Sequence, residues 1–195
     1  MIRRVPPSSA LPLVAWRSTV ALSGLLGVVL AAQVYDVWWT ALSQLANLAV
    51  AGTYVVLAAL AAGGRDTGRS WLPGALAATM CLVALAYLPM QNGNLLSAWS
   101  LLEHVVTPVL VVLDYVLVGR RRTVAPWWHP LTWTFAPLVY LAWYVSADLA
   151  VYDALDPARP LLMTGQVLVL GAVLVGCGYA LVAVGRRPAR RTVAA

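Results

Sequence analysis

Long runs of alanine, leucine and valine alternate along this chain with short polar or arginine-bearing connections. Six such runs fall near residues 14–33, 37–62, 71–89, 98–119, 128–149 and 160–184. A hydrocarbon core of roughly 30 Å is crossed by about 20 helical residues, so each run predicts a transmembrane helix. The connections, among them GGRDTGRS, MQNGN and VYDALDPARP, are short. Short connections predict antiparallel neighbours in one compact bundle, and hence one all-α domain over residues 1–195. Period-two alternation is missing and the runs are twice too long for tilted strands, which excludes a membrane β-barrel.

Composition fixes the solvent. With 62% hydrophobic and 10% charged positions in 195 residues, the chain is too apolar for a soluble or disordered protein. The net charge of +6 would suggest nucleic acid in a soluble protein, but here the basic residues are all arginines and nearly all lie between apolar runs. That is the signature of membrane topology and not of a nucleic-acid-binding face. Arg3 and Arg4 precede the first run, Arg65 and Arg69 follow the second, Arg120 to Arg122 follow the fourth, and Arg186, Arg187, Arg190 and Arg191 follow the last. The alternate connections hold Asp36, Asp153 and Asp156 with one arginine, Arg159, which predicts cytoplasmic N and C termini in a bacterial cytoplasmic membrane. Arg3 and Arg4 before an apolar stretch also suit a signal peptide, but residues 18–32 lack a cleavage pattern and are read as the first span.

Polar side chains interrupt this background in a few places. Thr40, Ser43, Gln44 and Asn47 follow the i, i+3, i+4, i+7 spacing of one helix face. Such a stripe serves either as interhelical hydrogen-bonding glue or as the wall of a polar pocket. The fourth run carries Glu103, His104 and Asp114, ionisable groups that are costly in lipid unless paired or facing a cavity. Glu103, Thr107 and Asp114 share one face, with His104, Pro108 and Val111 about 100° round. Pro108 has no N–H to give the carbonyl of His104, so the helix should bend at the histidine. Thr40 and His104 both belong to the outer half of the membrane; Asp114 lies roughly 15 Å below His104 by helical rise. Tyr140, Tyr144 and Asp148 form a further stripe whose outer end returns to that level, which predicts an outward-facing pocket. A threonine hydroxyl needs a base, and a neutral histidine within reach would serve. Asp148, Glu103 or the Gln44 and Asn47 amides are the groups available to orient it.

The order TALSQLAN, then EHVVTPVLVVLD, then PLVYLAWY resembles a group of six-span actinobacterial membrane proteins. These are similar to the androgen-induced and androgen-dependent transmembrane proteins of animals, threonine hydrolases of fatty acid esters of hydroxy fatty acids. The resemblance implies Thr40 as nucleophile, His104 as base, and a lipid or fatty acyl ester as substrate. One departure is Gln44, which directly follows the serine where the bacterial pattern carries asparagine.

Rival functions fare as follows. His104 and His129 sit near opposite membrane faces and could not ligate one haem. Cys81 and Cys177 lack metal-like spacing, and no metal or organic cofactor is implied. A small proton-coupled transporter would use Asp114 and Pro108 along a path, but the run below Asp114, YVLVG, offers no polar continuation. A non-catalytic scaffold stands as the third alternative, and the oligomeric state is not readable from the sequence.

Overall fold

The computed structural model describes residues 2–4, 6–67, 71–91, 95–118, 125–149 and 151–186. The fold is all-α and polytopic. Helix α1 spans Pro7–Ala32, α2 Leu42–Ala62, α3 Trp71–Gln91, α4 Ala98–Val118, α5 His129–Thr132, α6 Phe135–Ser146 and α7 Pro160–Gly185. Five of these, α1, α2, α3, α4 and α7, contain stretches long and apolar enough to cross a membrane. The only strands among the described residues are β1, Ile2–Arg4, and β2, Arg65–Thr67, paired antiparallel. Gly64 makes the turn into β2 at φ 67°, a left-handed conformation that glycine adopts without a Cβ clash.

The expected six continuous spans become five. The run 128–149 folds instead as the four-residue α5 and the twelve-residue α6. Between them Trp133 turns inward and is 1% exposed, packed where a Cβ on Gly74 would collide with it and one on Gly178 would come within 3.3 Å. Burying that indole between α3 and α7 replaces a straight fifth helix. The segment still connects the two ends of the bundle. Ala125 accepts from Arg186 at one end, while Tyr140 donates to the Thr40 carbonyl at the other.

Polarity is distributed as a bilayer solvent requires. Leu22, Val55, Leu85, Leu117 and Leu162 point outward, whereas Arg17, Asn47, Ser100, Glu103, Thr107 and Asp114 are fully buried. In lipid the apolar groups have no reason to hide, and the polar ones must find partners inside. α1 and α2 form the closest helix pair, with Gly24 of α1 against the Asn47 carbonyl, where an added Cβ would come to 2.8 Å. The Ser23 and Thr107 hydroxyls join α1 to α4 at 2.8 Å.

Candidate functional site

The site begins with a proline. Pro108 cannot donate to the carbonyl of His104, and the α-helical ladder gives way there to a π-helical turn over Leu102–Val106. The sequence predicts a bend at the histidine; the feature found there is this π-helical turn. Glu103 and His104 then face different neighbours. Glu103 turns to α1 and α2, where Gln44 Nε2 donates to its Oε2 at 3.1 Å. His104 turns to α3 and stacks on Tyr87, ring centroids 3.6 Å apart, with its Nδ1 3.1 Å from the Ser100 carbonyl.

His104 also lines a cavity of about 560 Å³, within the usual size of small-ligand sites. Its floor is apolar: Leu82, Val83 and Ala86 from α3, Pro137, Leu138 and Leu141 from α6, and Val167 to Val175 in part from α7. The polar groups are few: Ser43, Tyr87, His104, Thr134, Tyr140 and Tyr152. The cavity exists because α6 approaches the bundle through side chains and not by close backbone packing. Leu138 and Leu168 line it and are 56% and 68% exposed, so its wall reaches the apolar surface between α6 and α7.

Tyrosines frame the upper wall. Tyr152 accepts the Leu42 N–H at 2.8 Å, capping α2, which has no side-chain cap of its own. Its own N–H donates to the Tyr144 hydroxyl at 3.1 Å, and Tyr140 donates to the Thr40 carbonyl at 2.8 Å. Burial pushes the Tyr152 phenol up to about 12, so it remains a neutral donor and acceptor at physiological pH.

The predicted polar stripe is divided. Ser43, Gln44 and Asn47 lie buried on α2, but Thr40 sits ahead of that helix in a 3-10 turn, Trp38–Thr40, followed by extended Ala41. The Thr40 hydroxyl donates to the Val37 carbonyl at 3.0 Å, is absent from the cavity wall and has no hydrogen bond to His104. Ser43 is the member of the predicted stripe that lines the cavity. Asp148 lies beyond the end of α6, exposed, at φ 48°, so the Tyr140–Tyr144 stripe does not extend to it. Asp114 is away from the cavity, accepting from Trp16 Nε1 at 3.1 Å and the Tyr54 hydroxyl at 3.0 Å. Among the described residues no three His, Cys, Asp or Glu side chains converge as a metal-binding set.

Several key residues escaped the sequence reading. Tyr87, Ser100 and Tyr152 are ordinary residues until the fold brings them to His104 and α2. Arg17, a charge within the first apolar run, carried a visible signal; it is fully buried, donating to the Leu57 carbonyl at 3.0 Å and to Asp66 at 2.6 Å. Comparison with protein-family models, curated proteins and solved structures gave no match to this chain.

Proposed function

We propose that this chain is an integral membrane hydrolase of lipid acyl esters, with the acyl chain in the lateral cavity and the ester at its polar end. One observation carries the reading: Ser43 and His104 share the wall of an otherwise apolar cavity inside the bundle. His104 is the base. A carbonyl can only accept, so the Ser100 contact keeps the proton on Nδ1 and leaves Nε2 with the lone pair. Ser43, and not Thr40, is assigned as nucleophile, because Ser43 lines the cavity with His104 and Thr40 does not. The hydroxyl oxygen bonds to the ester carbonyl carbon as Nε2 takes its proton; the alcohol then leaves with that proton. Water, deprotonated by the same nitrogen, releases the fatty acid and restores the serine.

The proposed location is a bacterial cytoplasmic membrane with both termini cytoplasmic. Pairing of β1 with β2 gathers Arg3, Arg4 and Arg65 at one end, and Arg186 reaches the Ala125 carbonyl. Arg69, Arg120 to Arg122, Arg187, Arg190 and Arg191 lie outside the described residues.

The deciding experiment is reaction of detergent-purified protein with a long-chain alkyl fluorophosphonate, followed by peptide mass mapping. Labelling at Ser43, abolished in His104→Gln, is expected. Labelling at Thr40 would return the nucleophile to that residue, and no labelling at either would end the hydrolase reading.

A further inference from the structure

Beside the cavity, about 100° round α4 from His104, three buried oxygens have no close hydrogen-bond donor. Glu103 is 0% exposed, Asn47 0% and Gln44 4%. Glu103 Oε1, Gln44 Oε1 and Asn47 Oδ1 each lack a hydrogen-bond partner. The three side chains are tied together by their other atoms. Gln44 Nε2 donates to Glu103 Oε2 at 3.1 Å, and Asn47 Nδ2 donates to the Ser43 carbonyl at 2.9 Å and weakly to the Glu103 carbonyl at 3.4 Å. The Ser43 hydroxyl lies beside the Glu103 carboxyl as a weak donor, and no close hydrogen bond satisfies Oε1. α1 closes the site: a Cβ on Gly27 would stand 3.0 Å from Glu103 Cγ.

A buried carboxyl with no cation beside it and two amide oxygens without donors form an arrangement that a protein of lipid-exposed helices has every energetic reason to avoid. No ion pair among the described residues reaches Glu103; the two present are Arg17–Asp66 and Arg159–Asp156. What the cluster lacks is positive charge and partners for its oxygens. A proton on Glu103 would supply one donor for two acceptors and leave one oxygen bare. An alkali cation is bound by oxygen ligands and satisfies several together. Its single charge cancels the single carboxylate, whereas a divalent ion would leave net charge buried. The absence of His and Cys from the cluster disfavours zinc and other borderline metals.

We infer that Glu103, Gln44 and Asn47 form an intramembrane binding site for a monovalent alkali cation, with the Ser43 hydroxyl adjacent. Ser43 also lines the lateral cavity, so an ion here stands next to the pocket without being part of it. The inference does not depend on hydrolysis, and its test reads binding alone.

The test is thermal unfolding of the detergent-purified wild-type chain at constant ionic strength, with NaCl or KCl replacing choline chloride. A ligand that binds only the native state raises the transition with concentration. A saturable rise of about 4 °C or more is expected in one of the alkali salts, a shift that corresponds to a real change in stability. The rise should vanish in Glu103→Gln and shrink in Asn47→Ala. Should those variants fail to fold, equilibrium binding of 22Na+ and of 86Rb+, standing in for potassium, to wild type decides the matter. One site per chain for either ion supports the inference. No binding of either, or equal stabilisation by choline, overturns it, as does a transition that responds to pH but not to either alkali ion.

Discussion

Nδ1 of His104 lies 3.1 Å from the carbonyl oxygen of Ser100, one turn earlier on the same helix. The ring is further held by the Tyr87 stack, so both its tautomer and its plane are set before any ligand enters. A base fixed in this way loses its function when replaced by a side chain that keeps the hydrogen bond but has no lone-pair nitrogen. His104→Gln is therefore expected to lower kcat/KM for a long-chain nitrophenyl ester by about 10²–10⁴-fold, the usual contribution of general-base catalysis. Tyr87→Leu, which removes the stack together with the hydroxyl that accepts from Ser100 Oγ at 2.9 Å, should cost less. Steady-state kinetics in detergent micelles measures both, and an unchanged rate in His104→Gln would remove the histidine from the reaction.

The cavity itself can be filled without strain. Gly171 lies on its wall, and a Cβ built there meets no atom within 4 Å. Gly171→Leu should therefore fold normally, with helix propensity favouring the change by about 1 kcal/mol. It should nevertheless exclude an acyl chain. Displacement of a fluorescent fatty acid is the readout: loss of binding with an unchanged or raised unfolding temperature is expected. Binding equal to wild type would show that the cavity is not where acyl chains go.

Much of this architecture was legible from the hydrophobic pattern, because helix length and apolarity are local properties. The runs near 71–89, 98–119 and 160–184 match Trp71–Gln91, Ala98–Val118 and Pro160–Gly185 closely. The run near 128–149 misled because local composition cannot reveal that Trp133 has a slot waiting between Gly74 and Gly178. The same limit explains Thr40. Its spacing to Ser43 fits a helix, but α2 starts at Leu42, where the hydroxyl of Tyr152, 110 residues away, caps the first turn. At His104 the sequence predicts a bend from Pro108, and the helix there forms a π-helical turn, as it does again over Asp114–Val118.

Arg17 and Asp66 form the buried ion pair that the pattern could not foresee. The guanidinium is fully buried and the carboxylate side chain 17% exposed. Breaking a buried pair strands the remaining charge and costs about 3–5 kcal/mol, more than the pair itself contributes. Asp66→Ala should therefore lower the unfolding temperature sharply. The double variant Arg17→Leu/Asp66→Ala should recover part of the loss, because it removes the stranded charge as well. A double variant as unstable as the sum of the singles would show that the two side chains do not act as a pair.

Asp114 decides between enzyme and proton-coupled transporter. It is fully buried, and its two oxygens accept from Trp16 on α1 and Tyr54 on α2, so the carboxylate joins three helices. A transporter would require this group to exchange protons with water on alternate sides, whereas a structural bracket requires its donors to stay in place. Tyr54→Phe should cost about 1–3 kcal/mol of stability by leaving a buried acceptor short of a donor, and should leave ester hydrolysis in the folded fraction intact. Asp114→Asn should likewise shift unfolding and not turnover. Proton flux into proteoliposomes bearing a pH gradient gives the opposing readout: wild type and Asp114→Asn are expected to leak equally. A gradient dissipated by wild type and held by Asp114→Asn would identify Asp114 as a carrier of protons and displace the hydrolase reading.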